Sequence, residues 1–244
     1  MTDSGNVKNN KKPVIKAMLI PLVLIFIGLS YTFYVINYPQ DKIVADFVSY
    51  SKVFNLLKQH IVLVLVSATA AVLVSVPLGI FLTRPKFKGL ANIFISIVNM
   101  GQTIPSLAIL ALFVSVLGIG FKSAVFALWI YSLLPILNNT LVGITGVDRY
   151  VMEAAAGMGM SPVRILTKIE LPIAFPVIMA GIRTAATVNI GTATLAAFIG
   201  AGGLGDLIIA GNNINRWQIV ILGALLSALL AILADYLMAL FEKA

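Results

Sequence analysis

Six long stretches of this 244-residue chain contain almost no charged side chains. They cover residues 17–40, 61–83, 89–121, 123–147, 171–205 and 217–241. Arg183 and Asp235 are the only charged residues inside them. Each stretch reaches the roughly 20 residues that a helix needs to cross a bilayer, so most of the chain is predicted to lie in lipid.

Composition and periodicity indicate the kind of membrane protein. Charged residues make up 11% of the chain, whereas about a quarter is usual in soluble domains. The alternation of period two that is typical of membrane β-barrels is absent from the apolar stretches. Because lipid offers no partner for a free backbone N–H or C=O group, we predict an all-α membrane protein with about six transmembrane helices.

Positive charges are distributed unequally between the loops. With the amino terminus in the cytoplasm, most Lys and Arg residues outside the stretches lie on the cytoplasmic side, including the cluster from Lys8 to Lys16. Short cytoplasmic loops carry such an excess, so both termini are predicted to be cytoplasmic. The basic tail lacks the interleaved aromatic residues of a nucleic-acid-binding segment, and no nucleic-acid partner is expected.

The same features divide the chain into four parts. We predict a cytoplasmic basic tail over 1–16, a retained N-terminal transmembrane anchor over 17–37, an extracytoplasmic linker over 38–57 and a transmembrane domain over 58–241. The apolar part of the anchor is longer than the roughly 7 to 15 residues of a signal peptide.

Residue types that catalyse reactions or bind metals are scarce. The chain has no Cys and a single His, His60, which argues against a metal centre. We predict that His60 is an interfacial residue at the mouth of the second span. A GxxxxGK[ST] loop, which would cradle ATP phosphates, is absent from the sequence. The chain is therefore expected not to be an enzyme and to bind no cofactor itself.

One hydrophilic segment, EAAAGMGMSPVRILTKIELP, lies between the fourth and fifth stretches. Helix-forming Glu and Ala residues follow Asp148, which can cap the helix amino terminus. Gly157 and Gly159 permit a sharp turn, and Ser161-Pro162 is typical of a new helix start.

The segment therefore predicts two short helices at an angle, and Pro172 links the second of them to the fifth span. Such an element, lying at the membrane surface, can fit a groove on a soluble partner. An ordinary loop helix without a partner would have the same local sequence features.

The spacing of this segment resembles the signature of permease subunits of ABC importers, which is EAA, three residues, Gly, nine residues, Ile, one residue and Leu-Pro. Every interval of that signature matches between Glu153 and Pro172. The resemblance implies coupling helices over 148–172 that dock onto a separate ATPase subunit, which binds ATP and Mg²⁺. The residues that it implicates in this coupling are Glu153, Ala154, Ala155, Gly159, Met160, Ser161 and Pro162.

Two further segments, GQTIPSLAILAL and NIGTATLAAFIGAGGLGDLI, look like the osmoprotectant branch of these permeases. That resemblance implies a MetI-like five-helix core, to which this chain adds one N-terminal anchor helix. It also implies uptake of glycine betaine, choline or carnitine across a bacterial cell membrane. The implied partners are ATPase subunits, a separate substrate-binding protein, and a second permease copy or a sister permease.

The third stretch, 89–121, is too long for one straight span. Pro105 lacks an amide donor and Gly101 loosens the helix near its middle. Broken backbone at this depth is tolerated against protein or a water-filled path. Gln102, Thr103 and Ser106 are thus candidates for the substrate path, and a kink accommodated by neighbouring helices is the alternative.

The fifth stretch is rich in small residues, which let helices approach closely. We expect it to be the central packing element and to lie at the interface between two permease subunits. Its polar residues Asn189, Thr192 and Thr194 are further candidates for the substrate path. Equally, they can be packing groups that bond to their own helix.

Two predictions concern charges and turns. Arg183 and Asp235 lie at comparable depth and are expected to pair across two helices, with snorkelling to the interface as the alternative. The glycine-rich run from Gly200 to Asp206 is predicted to be a flexible turn, close to where a binding protein would dock.

Two other functions fit a protein of this class. An ABC permease for an amino acid such as methionine would have the same core. A secondary transporter driven by an ion gradient would need no ATPase, but two charges within the spans are few for a proton relay.

Overall fold

The fold is described from a computed structural model of the chain, over residues 12–242. Nothing is described of the side chains of residues 12–18, 88, 91, 92, 98, 101, 102 and 241. Most of the predicted basic tail therefore lies outside the described residues. The α-helices are α1 (Lys12–Asn37), α2 (Lys42–Phe47), α3 (Tyr50–Leu82), α4 (Lys88–Thr103), α5 (Ser106–Leu117), α6 (Phe121–Thr145), α7 (Arg149–Gly157), α8 (Pro162–Ile165), α9 (Leu171–Ala193), α10 (Gly205–Asn213) and α11 (Trp217–Glu242).

Five continuous helical segments are long and apolar enough to cross a membrane. They cover Leu19–Asn37, Tyr50–Leu82, Phe121–Thr145, Pro162–Ile199 and Trp217–Leu240. All regular secondary structure within residues 12–242 is helical. The all-α membrane fold is thus confirmed, whereas the side of the membrane on which each terminus lies stays a prediction.

The third predicted span differs from the other five. The chain breaks between α4 and α5 at Ile104, whose backbone is extended, and at Pro105. Pro105 cannot donate to the helical ladder, and proline disfavours helical backbone at the residue before it. Two shorter helices therefore cover 89–121, and they are separated at the predicted break.

The centre of the bundle is α9, which packs against α3, α6 and α11. A Cβ atom at Gly181 would lie 2.5 Å from the Cβ of Asn139 and 2.8 Å from the carbonyl oxygen of Pro135. Only a residue without a side chain permits this approach of α9 to α6. The expected central packing role of the fifth span is confirmed within the subunit, and its place at an interface between subunits stays a prediction.

The N-terminal helix α1 packs against α11. A Cβ at Gly28 would lie 3.2 Å from a methyl carbon of Leu229, so the contact is close. Beyond α1, the Gln218 side chain donates to the Tyr38 carbonyl at 3.0 Å and accepts from the Gln40 amide at 2.7 Å. The predicted linker over 38–57 is partly helical, since α2 lies within it and α3 already begins at Tyr50.

Candidate functional site

We call residues 148–172 the motif segment. Its first half forms the predicted short helix. Asp148 caps α7 by accepting a hydrogen bond from the Tyr150 amide at 2.8 Å. At the other end, the Gly159 amide donates to Ala156 and the Met160 amide to Ala155, at 2.9 and 3.1 Å. This pair of bonds is a Schellman motif, and it requires a left-handed residue at Gly159, whose φ is +80°.

The outer surface of the motif segment is unusually apolar for a charged loop. Tyr150, Met158 and Val163 expose 80%, 76% and 71% of their surface. Glu153 is also exposed and pairs with Arg149 at 2.6 Å, one helical turn away. Ala155 is buried, whereas Ala154, Ser161 and Pro162 are exposed and Met160 is half-buried. Exposed apolar side chains beside an exposed ion pair form a surface suited to protein docking.

The second half of the motif segment differs from the prediction of a separate short helix. Helix α8 continues through a π-helical turn, Leu166–Glu170, directly into α9. Pro172 has no amide N–H, so one bond of the α ladder is missing there and the preceding turn widens instead of ending. Ser161 occupies the predicted cap position without a side-chain capping bond. One long helix therefore joins the turn at Gly159 to the membrane interior.

Glu170, in that π turn, makes an ion pair that the sequence analysis did not identify. Its carboxylate accepts from Arg84 Nη2 at 2.7 Å and from Nη1 at 3.3 Å. The Glu170 side chain is 3% exposed, and Arg84 follows the last turn of α3. Opposite charges at the ends of two apolar stretches are the only sequence signal that could have suggested this pair.

The break between α4 and α5 carries two of the predicted path residues. Thr103 is exposed, and its hydroxyl donates to the Met100 carbonyl at 2.7 Å. Ser106 is half-buried beside Tyr131, whose hydroxyl also donates to the Ile104 carbonyl. Tyr131 therefore holds the break in place, and the side chain of Gln102 lies outside the described residues.

The polar residues of the fifth span have separate surroundings. Asn189 is buried, donates to Ser67 Oγ at 2.7 Å, and leaves its Oδ1 atom without a hydrogen-bond partner. The hydroxyls of Thr192 and Thr194 donate to carbonyls of their own helix at 2.9 and 2.7 Å. Helix α5 packs against the 3-10 helix Thr194–Ile199, which begins at Thr194.

Arg183 and Asp235 form the predicted pair. Arg183 Nε lies 2.5 Å from Asp235 Oδ1, and Nη2 lies 2.8 Å from Oδ2. A third contact, from Nη1 to Glu242 at 3.2 Å, was not predicted. The pair joins α9 to α11, and a two-bond Arg–carboxylate contact fixes geometry as well as charge.

The glycine-rich run, which we call the glycine turn (Gly200 to Gly205), is packed closely against its neighbours. A Cβ at Gly205 would lie 1.9 Å from the Thr194 carbonyl oxygen, and one at Gly202 would lie 2.3 Å from Gln59 Oε1. The Gly203 amide donates to Gln59 at 3.2 Å. Neighbouring groups therefore contact this backbone on several sides, and its flexibility stays a prediction.

His60 is part of the same restraint, and the prediction of an interfacial His is wrong. The residue is fully buried; its Nε2 lies 3.1 Å from the Ile190 carbonyl, and its Nδ1 lies 3.3 Å from the Leu204 amide. Helix α9 changes to a 3-10 helix at Thr194, whose amide bonds to Gly191 and Thr192 rather than to Ile190. The freed Ile190 carbonyl accepts the proton of His60.

Two carboxylates outside the spans have shifted pKa values at the same end of the bundle. A hydrogen bond from the Val44 amide, followed by the pair with Arg216, lowers the pKa of Asp41. Burial raises the pKa of Asp206, and Lys52 partly opposes that shift.

Among residues 12–242, no group of three or more His, Cys, Asp and Glu side chains could hold a metal ion.

Comparison with known proteins identifies the family of this chain. Residues 75–244 match the family model described as "Binding-protein-dependent transport system inner membrane component". The chain belongs to this family. It is thus a transport subunit of the bacterial inner membrane. The matched region contains the motif segment, α9 and the glycine turn.

Several relatives in this family have described transport roles. The chain is 51% identical over 185 residues to the choline transport system permease protein OpuBB of Bacillus subtilis, covering 76% of this chain and 84% of that protein. It is 47% identical to the glycine betaine/carnitine/choline permease protein OpuCB of the same organism, with the same coverage. The osmoprotectant import permease protein OsmY of Salmonella typhimurium is 45% identical, over 76% of this chain and 79% of that protein.

The fold is also that of a solved permease. A chain from the inward-facing MetNI methionine ABC transporter superposes with a TM-score of 0.73 and 20% identity, over 80% of this chain and 98% of that one. At that identity the likeness concerns the fold alone, and it confirms the MetI-like core.

Proposed function

We propose that this chain is a transmembrane permease subunit of an ATP-driven importer for osmoprotectants such as choline, carnitine or glycine betaine. The observation that carries the proposal is the 51% identity to a choline permease over 84% of that protein's length. Related permeases at 47% and 45% identity are described as transporting the same group of compounds.

The motif segment is the proposed docking site for a separate ATPase subunit, on the cytoplasmic side. The exposed side chains of Tyr150, Met158 and Val163 would enter an apolar groove of that partner. Glu153, beside them, would meet a basic group at its rim. Gly159 supports this role because its left-handed backbone redirects the chain between α7 and α8.

The proposed docking residues are those of the matched signature and the turn that follows it. They are Glu153, Ala154, Ala155, Gly159, Met160, Ser161 and Pro162. Binding of ATP and Mg²⁺ by the partner would move this segment, and the spans would alternate between outward-open and inward-open states.

The transport unit is proposed to contain two permease chains, either two copies of this one or this chain with a sister permease. A separate substrate-binding protein would deliver the solute to the glycine-turn end. The substrate path is proposed to include Gln102, Thr103, Ser106, Asn189, Thr192 and Thr194. The unpartnered Oδ1 atom of Asn189 supports a polar ligand or water there.

A methionine permease is the second candidate, since a methionine transporter has the same fold. That likeness rests on 20% identity, whereas the choline permease is 51% identical, and the osmoprotectant function is therefore favoured. Membership in a binding-protein-dependent family favours an ATP-driven importer over a gradient-driven transporter.

The proposal is tested by purifying the tagged chain in mild detergent from its own host and identifying the co-purifying subunits. The complex is then placed in proteoliposomes with the host's binding protein, and uptake of radiolabelled choline, carnitine, glycine betaine and methionine is measured with and without enclosed ATP. We expect an ATPase subunit and ATP-dependent uptake of a quaternary ammonium compound. Uptake by an ATPase-free preparation, or of methionine alone, would overturn the proposal.

A further inference from the structure

Three polar contacts join α3 and the residue after its last turn to α9 and the residue before its first turn. Near the end of α9, His60 bonds to the Ile190 carbonyl and Ser67 accepts a hydrogen bond from the adjacent residue Asn189. At the other end Arg84 pairs with Glu170. Because all three contacts are buried or partly buried among apolar helices, water competes weakly for them and they hold the two helices together.

The Arg84–Glu170 contact has the two-bond geometry of a well-ordered ion pair, unlike a typical surface pair. Two guanidinium nitrogens face the two carboxylate oxygens, at 2.7 and 3.3 Å. Arg84 also donates to the Thr83 hydroxyl and to the Ile80 carbonyl, so it is fixed to the last turn of α3. Glu170 is in turn fixed by its position on the long helix that begins at Pro162.

A second ion pair in the motif segment provides the contrast. The side chains of Arg149 and Glu153 are 89% and 56% exposed, whereas those of Arg84 and Glu170 are 32% and 3% exposed. Exposed pairs one helical turn apart contribute little, because water screens them. If a carboxylate buried as deeply as that of Glu170 loses its partner, an unpaired buried charge remains and the fold is strongly destabilised.

We propose that Arg84 and Glu170 are positioning residues that transmit displacement of the motif segment from α9 into α3. This inference rests on the proposed function. When the ATPase moves the turn at Gly159, the continuous helix from Pro162 displaces Glu170, and the ion pair moves α3 with α9. Glu170 is the last residue of the π turn Leu166–Glu170, and such turns are frequent at functional sites.

The test uses the double variant Arg84→Gln/Glu170→Gln in the full complex with its ATPase and binding protein. Removing both charges avoids an unpaired buried carboxylate, so this variant is expected to assemble. Reconstituted in proteoliposomes, it should hydrolyse ATP while uptake per ATP falls severalfold below that of the wild type, because α3 no longer moves with α9. The charge-swapped variant Arg84→Glu/Glu170→Arg should recover part of that ratio.

The matched control is Arg183→Gln/Asp235→Asn, which removes an ion pair between α9 and α11 instead. A purely structural role for Arg84 and Glu170 would lower the yield of the Arg84→Gln/Glu170→Gln complex but leave its uptake per ATP unchanged. If Arg84→Gln/Glu170→Gln keeps the wild-type ratio, the inference is overturned. A wild-type complex without ATP-dependent uptake would instead refute the proposed function, so the two failures are distinguishable.

Should the double variant not assemble, Arg84→Lys is measured in its place. Lysine keeps the positive charge but loses the two-bond contact. Under the inference, Arg84→Lys lowers uptake per ATP. An unchanged ratio in that variant also overturns the inference.

Discussion

Two glycine-containing turns lie at opposite ends of the long helix that includes α9, and their surroundings differ. Around Gly157 and Gly159 an added Cβ would meet no atom within 4 Å. In the glycine turn, a Cβ at Gly205 or Gly202 would collide with atoms of this chain. Both turns contain glycines in the left-handed region, so backbone freedom alone does not separate them.

The difference shows which groups surround each turn and where a partner could bind. The glycine turn is restrained by Gln59, His60 and Thr194, all within the same chain. The open turn exposes Met158 to solvent, and α7 beside it exposes Tyr150. A turn with free space and exposed apolar neighbours is suited to a partner, whereas a crowded turn is already complete within its own subunit.

The largest effect is expected for Gly205→Ala in the crowded turn. The new Cβ would lie 1.9 Å from the Thr194 carbonyl oxygen, and backbone cannot yield as a flexible side chain does. We expect a loss of about 3 kcal/mol or more of unfolding free energy, or no folded protein, measured by thermal melting in detergent. Gly157→Ala, in open space, is the control and should change stability by less than about 1 kcal/mol. Equal melting temperatures for the two variants would remove the contrast between the turns.

The open turn should show the reverse pattern, with loss of function and little loss of folding. Glu153→Lys and Gly159→Trp place a wrong charge or a bulky ring on the docking surface. We expect folded protein in the membrane with lowered uptake, although the left-handed backbone at residue 159 costs the Trp variant about 1–2 kcal/mol of stability that Glu153→Lys does not lose. Gly159→Asn is the control, because asparagine tolerates the left-handed region without a large side chain. Normal uptake in both Glu153→Lys and Gly159→Trp would refute the docking role.

A moderate effect is expected at Arg183 and Asp235, the pair that joins α9 to α11. Arg183→Ala should lower the melting temperature more than Asp235→Ala, because Arg183 also contacts Glu242. The double variant should be less destabilised than the sum of the two single variants, since the pair is lost only once. Strict additivity in this double-mutant cycle would mean that the contact contributes nothing to stability.

The smallest effect is expected at the glycine-turn end of the bundle, where the stability that Asp41 contributes depends on pH. The Val44 amide and Arg216 hold the pKa of Asp41 below its ordinary value of 3.8. A carboxyl whose pKa is lower in the folded state stabilises the fold above pH 3.8, and this contribution is lost as the pH falls through its folded pKa.

Asp41→Asn should therefore melt slightly below the wild type at neutral pH, and the gap should close as the pH falls below 3.8 and through the folded pKa of Asp41. Melting curves over this range test the expectation. Asp46→Asn, an exposed carboxyl on the same short helix, is the matched control. A gap that stays constant with pH would contradict the lowered pKa of Asp41 in the folded state.

The sequence by itself determined the class of the fold and the motif segment. Long uncharged stretches require helices in lipid, because backbone groups must be satisfied within each segment. Local chemistry also predicted α7, its cap at Asp148 and the turn at Gly159, since all of these depend on neighbours within a few residues. Pro105 likewise predicted the break, because proline removes a donor wherever it lies.

Apart from the predicted pair of Arg183 and Asp235, only the tertiary structure decided which distant residues meet. The burial of His60, the close packing of the glycine turn and the pairing of Arg84 with Glu170 each depend on contacts between helices far apart in sequence. Apolar helices of similar composition leave the rotation and depth of each helix open, because lipid-facing and core-facing side chains look alike. Close approach through glycines and the few buried polar groups then select one arrangement, and those contacts exist only once the bundle has formed.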